Sequence, residues 1–172
     1  MIDDRHLVLV GLMGTGKTTT ARLLAHKLDR QLVDSDQLIE SQTGRTVREI
    51  FLDDGEAAFR ALETSALRDA LAQQTPLVIA AAGGVVKSAD NRAALVASGA
   101  VVVWLDASLD ILTARTASAG HRPLLDDDPA AALAGMATER RDWYDEVSTM
   151  RIDTTDLTPE QVSETIIAGA ST

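Results

Sequence analysis

Residues Gly11 to Thr18 read GLMGTGKT, a full match to G-x-x-x-x-G-K-[ST]. The run Leu7-Val8-Leu9-Val10 precedes it, short, continuous and apolar, as a strand buried on both faces of a parallel sheet is. Helical spacing follows from Lys17 to Leu28, with Ala21, Leu24, Ala25 and Leu28 on one face. Strand, glycine loop and helix in that order are the context of a P-loop. The glycines let backbone N–H groups turn around phosphate oxygens, and the helix N-terminus adds the positive end of its dipole. Such a loop binds a nucleoside triphosphate, ATP in a kinase, through Met13, Gly14, Thr15, Gly16, Lys17, Thr18 and Thr19. In it Lys17 bridges the β- and γ-phosphates, and the Thr18 hydroxyl ligates Mg²⁺.

The remainder of the chain alternates strand and helix signals. Strands are predicted at 31–34, 77–81, 100–105 and 150–153, and helices at 37–42, 46–52, 56–73, 88–98, 108–115, 130–147 and 159–167. Gly44 is placed as a C-cap, and Thr46 with Glu49 three residues on as a capping box. Alternation of this kind predicts an α/β fold. Three layers, α/β/α, are expected around a central five-stranded parallel sheet, similar to the nucleoside monophosphate kinase-like P-loop NTPase type. The 172 residues suit one domain, 1–172. An acceptor-binding insert is expected at about 35–63 and a mobile lid at about 116–129, where Gly, His, Pro and three consecutive Asp interrupt the periodicity.

Composition narrows the chemistry. Sixteen Lys and Arg against 26 Asp and Glu leave a net charge of −10, which excludes a basic nucleic-acid surface but not local phosphate binding. Without Cys there is no thiolate nucleophile, disulfide frame or Cys-based zinc site, and His6, His26 and His121 lack metal-ligand spacing. No apolar run reaches the length of a membrane span, and the opening residues do not read as a signal peptide, so a cytoplasmic enzyme is expected. With no coiled-coil pattern or broad apolar stripe, a monomer is expected. There is no N-K-x-D motif of the kind a GTPase uses to read its base, and a motor or AAA-type ATPase needs more chain. Small-molecule or nucleotide kinases fit the length best.

Acceptor chemistry has several candidates. Asp34-Ser35-Asp36 lies at the carboxyl end of the second strand, the sheet edge where α/β proteins bind ligands. Asp34 could hold Mg²⁺ through water, and Asp36 could accept the proton of an acceptor hydroxyl. The alternative is that the two carboxylates cap the helix at Gln37. Arg60 and Glu63 share a helix face; Arg60 could offer a bidentate fork to a carboxylate, or the two could form a solvated ion pair. Gly83 and Gly84 allow close backbone approach to a ligand, or mark a plain turn. Arg122, in the expected lid, could act as an internal arginine finger.

The blocks GLMGTGKT, LVDSD (32–36), TGRTVREIF (43–51), DGEAAFRALE (54–63), AGG (82–84), RPLL (122–125) and ERRDWY (139–144) together resemble the shikimate kinase family. The resemblance covers about residues 7 to 160. It implies transfer of the ATP γ-phosphate to a hydroxyl of shikimate, a step of aromatic amino acid biosynthesis. The alternatives are kinase action on a cyclitol, a gluconate-like or another hydroxy acid, or a non-catalytic ATP-binding module. By position, the resemblance makes Lys17, Asp36 and Arg122 catalytic and pairs Thr18 with Asp34 at Mg²⁺. It gives the acceptor to Asp36, Phe59, Arg60, Glu63, Gly83, Gly84 and Arg140, with Phe51 in the pocket wall. It gives the adenine to Arg115 and the loop around Pro159. Departures are Ala82 where the family usually has a first glycine, Asp142-Trp143 where Pro-Leu is common, and Leu157 where some members carry an ATP-contacting Arg.

Overall fold

The structure, a computed structural model, describes residues 4–117 and 128–170. Five parallel strands form one sheet in the order β2-β3-β1-β4-β5: β1 Leu7–Val10, β2 Gln31–Asp34, β3 Leu77–Ala80, β4 Val101–Asp106 and β5 Met150–Asp153. The helices are α1 Lys17–Leu28, α2 Ser35–Thr43, α3 Val47–Leu71, α4 Ala89–Ala97, α5 Leu109–Ala117, α6 Pro129–Val147 and α7 Pro159–Ala170. The expected three-layer α/β/α architecture is what forms.

Alternate residues of the central strands enter opposite cores, as the two-residue side-chain period requires. Leu7 and Leu9 of β1, with Val101, Val103 and Leu105 of β4, pack against Ala21 and Leu24 of α1 and Val162 and Ile166 of α7. Val8, Val10, Val102 and Trp104 point the other way, toward Leu67, Leu95, Leu133 and Tyr144 of α3, α4 and α6. A third, smaller cluster joins Ile39, Ile50, Phe59 and Ala66 beneath α2 and α3. It seats the acceptor-side helices.

Several boundaries move for identifiable reasons. Helix α2 begins at Ser35 rather than 37, because the Asp34 side chain already caps it by accepting from Gln37 N at 3.2 Å. The two helices expected at 46–52 and 56–73 run together as α3, with a break in helical geometry at Gly55 (φ 86°, ψ 171°). The Thr46 capping box forms with both its bonds, Glu49 N to Thr46 Oγ1 at 3.2 Å and Thr46 N to Glu49 Oε2 at 2.7 Å. Residues Val85–Lys87 make a single 3₁₀ turn that the periodicity did not predict. Thr116 and Ala117, expected in the lid, continue α5, and α7 extends to Ala170. Asp128, expected as a solvated loop residue, caps α6 by accepting from Ala131 N at 3.0 Å, with Pro129 in the first turn.

Candidate active site

The sheet order changes direction around β1, and the loops after β1 and β3 meet at its carboxyl edge. Gly14 and Gly16 adopt left-handed backbone (φ 86° and 91°), and Gly16 caps α1. The Thr15 side chain is buried and donates to Leu12 O at 2.8 Å, which braces the loop from inside. Lys17 Nζ curls back over the loop to donate to Gly11 O at 2.8 Å and Leu12 O at 2.9 Å. Its charge therefore stands at the mouth of the cradle. Arg115 of α5 reaches Gly14 O at 3.3 Å and Thr154 O at 3.0 Å, tying the P-loop to the end of β5.

Thr18 Oγ1 donates to Asp34 Oδ2 at 2.6 Å. One Asp34 oxygen caps α2, the alternative the sequence offered, and the other meets the P-loop hydroxyl. Two hard oxygen donors at the phosphate mouth suit Mg²⁺, which usually takes only one or two protein ligands and completes its shell with phosphate and water. Among the described residues no cluster of three or more acidic, His or Cys side chains could hold a metal by itself.

The facing wall comes from α2, α3 and α6. Phe51 and Phe59 pack with ring centroids 4.7 Å apart and planes tilted by 43°, and the Arg60 guanidinium lies over both at 5.9 and 5.6 Å. Arg60 Nη1 donates to Glu63 Oε2 at 2.6 Å, and Arg60 Nη2 to Glu56 Oε1 at 3.0 Å. Glu63 is only 2% exposed, so this is not the solvated pair the sequence allowed. Burial pushes the Glu63 carboxyl up to about 6; Arg60 opposes that shift and Asp36 adds to it. Gly84 makes room for the pair, because a Cβ there would collide with Arg60 Nη1.

Gly83 is held by its carbonyl. Arg140 Nη1 donates to Gly83 O at 3.1 Å and Tyr144 Oη donates to it at 2.5 Å. Arg140 is nearly fully buried, and burial raises the Tyr144 phenol to about 12, so it remains a donor. Asp142 is exposed and does not line the cavity, and Trp143 packs beneath the Arg92 guanidinium at 5.1 Å. Leu157 packs against the core on the α1–α7 face of the sheet. Ala82 is buried in the cavity lining.

One cavity of about 750 Å³ joins the two halves. From the P-loop side Met13, Gly14, Gly16, Lys17, Thr18 and Thr19 line it. From the other side come Asp34, Asp36, Phe51, Phe59, Arg60 and Glu63, with Gly83, Gly84, Arg115 and Arg140. Thr15 is not in the lining, since its side chain faces the loop interior, and Pro159 is also outside it, at the start of α7. Arg122, and with it most of the expected lid, lies outside the described residues. The sequence reading missed Glu40, Thr46, Val47 and Arg48, which also line the cavity, and Tyr144, which fixes Gly83. The capping box marked Thr46 as structural, but no local signal marks a first-turn Arg as facing a ligand.

A P-loop facing a second, carboxylate- and guanidinium-lined half-site across one cavity defines a small P-loop kinase. The comparisons narrow the class. The family model described as Shikimate kinase matches residues 13–170. The shikimate kinase of Psychrobacter cryohalolentis is 48% identical over 141 residues, 81% of this chain and 75% of that one. That of Vibrio campbellii is 40% identical over 168 residues, 97% and 96% of the two chains. The structure of shikimate kinase from Acinetobacter baumannii in complex with shikimate superposes with a TM-score of 0.91 at 35% identity, covering 96% of this chain and 92% of that one. The chain belongs to the shikimate kinase family.

Proposed function

We propose that the chain transfers the γ-phosphoryl group of ATP to a hydroxyl of shikimate. The observation that carries this reading is the single cavity shared by the P-loop and the Asp36–Arg60–Arg140 wall. Family membership and the shikimate complex of a relative at TM-score 0.91 support the acceptor.

In this reading the P-loop amides and Lys17 hold the phosphates, and Lys17 leaves its two loop carbonyls to do so. Thr18 and Asp34 are the residues that would hold Mg²⁺. When bound, Mg²⁺ neutralises negative charge on the phosphate oxygens. Arg60 and Arg140 clamp the acceptor carboxylate, with Glu63 and the Gly83 carbonyl fixing the two guanidiniums. Phe59 and Phe51 exclude water from that side. Asp36 orients the reacting hydroxyl and takes its proton as the oxygen bonds to the γ-phosphorus. The bond from that phosphorus to the β-bridging oxygen breaks, and ADP leaves. Arg122 is assigned to the transferring phosphoryl group, and Arg115 with the turn before Pro159 to the adenine. The reading is of a cytoplasmic monomer. No described helix is long and apolar enough to cross a membrane.

The test is ADP release across acceptors, with shikimate, gluconate, a neutral cyclitol and no acceptor in parallel. Release that depends on shikimate supports the reading. Preference for another acceptor, or ATP binding without turnover on any of them, overturns it.

A further inference from the structure

The acceptor wall carries another guanidinium. Arg48 stands in the first turn of α3 and lines the cavity, and its Nη1 is buried with no hydrogen-bond partner among the described residues. The other two guanidiniums of this wall are engaged differently. Arg60 donates to Glu63 and Glu56, and Arg140 to the Gly83 carbonyl. Arg48 forms no ion pair with the carboxylates that share its cavity.

The position of Arg48 is held from both sides. Val47 N donates to Glu40 Oε1 at 2.9 Å, which fastens the start of α3 to α2. Phe51 lies three residues on, so Arg48 and the aromatic wall share a helix face. Phe51 in turn packs against Phe59 beneath Arg60. A guanidinium N–H taken out of water without an acceptor is unfavourable, and a ligand oxygen placed there removes the cost.

We propose that Arg48 is a specificity-determining contact of the acceptor half-site, its Nη1–H donating to an oxygen of the bound hydroxy acid. The proposal rests on the kinase reading above and deepens it. It gives this wall a third cation, beside Arg60 and Arg140, that recognises an oxygen-rich acceptor.

The test compares wild type, Arg48→Met and Arg48→Lys with the acceptor varied at saturating ATP, and with ATP varied at saturating acceptor. The Met variant keeps the length and removes the donors. Its acceptor KM is expected to rise roughly 10- to 100-fold, the worth of one charge-assisted hydrogen bond. ATP KM should stay within about twofold of wild type, and the Lys variant should fall between. Acceptor KM unchanged in both variants overturns the proposal. So does a parallel shift of acceptor KM, ATP KM and melting temperature, which is what a merely structural role gives. Wild-type turnover is read first, on the acceptor panel, and the Arg48 comparison uses whichever hydroxy acid the wild type phosphorylates. Failure of shikimate as the acceptor is thereby kept apart from failure of Arg48 as its contact.

Discussion

Glu63 carries a charge in a place that disfavours it. Its Oε2 meets Arg60, but its Oε1 is buried without a hydrogen-bond partner among the described residues. The folded-state pKa, about 6, lies above the ordinary glutamate value of 4.5. The folded protein therefore binds more protons than the unfolded chain between those values. Stability from this group is full below about 4.5 and is lost as pH rises through 6. Glu63→Gln removes the titration. Relative to that variant, wild type should lose about 2 kcal/mol as pH goes from 4.5 to 7, measured by urea unfolding at each pH. Parallel pH profiles for the two proteins would contradict the burial argument.

Asp36 and Lys17 belong to the same scale with a different readout. Asp36→Asn keeps the shape and removes the proton acceptor, and Lys17→Ala removes the phosphate charge. Each is expected to lower kcat by about 100-fold or more with the far-ultraviolet circular dichroism unchanged. Near-normal turnover of Asp36→Asn would remove Asp36 from the reaction.

At the scale of elements, the start of α3 and the turn after β3 decide the shape of the acceptor wall. The Thr46 capping box supplies partners to backbone N–H groups that the helix leaves open. Thr46→Ala should destabilise by about 1 kcal/mol in equilibrium unfolding. The turn after β3 acts through space rather than through its backbone. Gly84 has φ −92°, which any residue adopts, but a Cβ there meets the Arg60 guanidinium. Gly84→Ala should displace Arg60 and raise the acceptor KM several-fold with ATP KM unchanged. Equal KM values for the acceptor would show that Arg60 can shift without loss.

The same elements show which parts of the site were legible in the chain. The P-loop, the Asp34 cap and the Thr46 box are local patterns, each contained within about one turn, so periodicity and capping chemistry found them. The Asp128 cap was also local, and the Asp-Pro pair signals it, but the acidic run beside it disguised it as loop. The fixing of Gly83 is different in kind. Its partners Arg140 and Tyr144 lie 57 and 61 residues away, and only packing of α6 on the sheet brings them there. Arg48 was hidden for a similar reason. Its sequence neighbours describe a helix start, and the cavity it lines is shared with Glu40 of α2 and with residues far away in the chain.

For the whole molecule, the net charge of −10 is compatible with two anionic substrates because the cations are gathered. Lys17, Arg48, Arg60, Arg115 and Arg140 all line the one cavity between the P-loop and the α2–α3 wall. Arg151 and Arg141, by contrast, pack on Trp104 at 4.2 and 5.9 Å and serve the fold. Joining the two half-sites in one cavity lets the γ-phosphoryl group and the acceptor hydroxyl meet without release to water. The most direct measurement follows the label from ATP labelled at the γ-phosphoryl group in the presence of shikimate and Mg²⁺. The label is expected in a phosphorylated shikimate, in step with ADP, and only when all three components are present. ADP formed at the same rate without shikimate, or label found only in inorganic phosphate, would contradict the assignment.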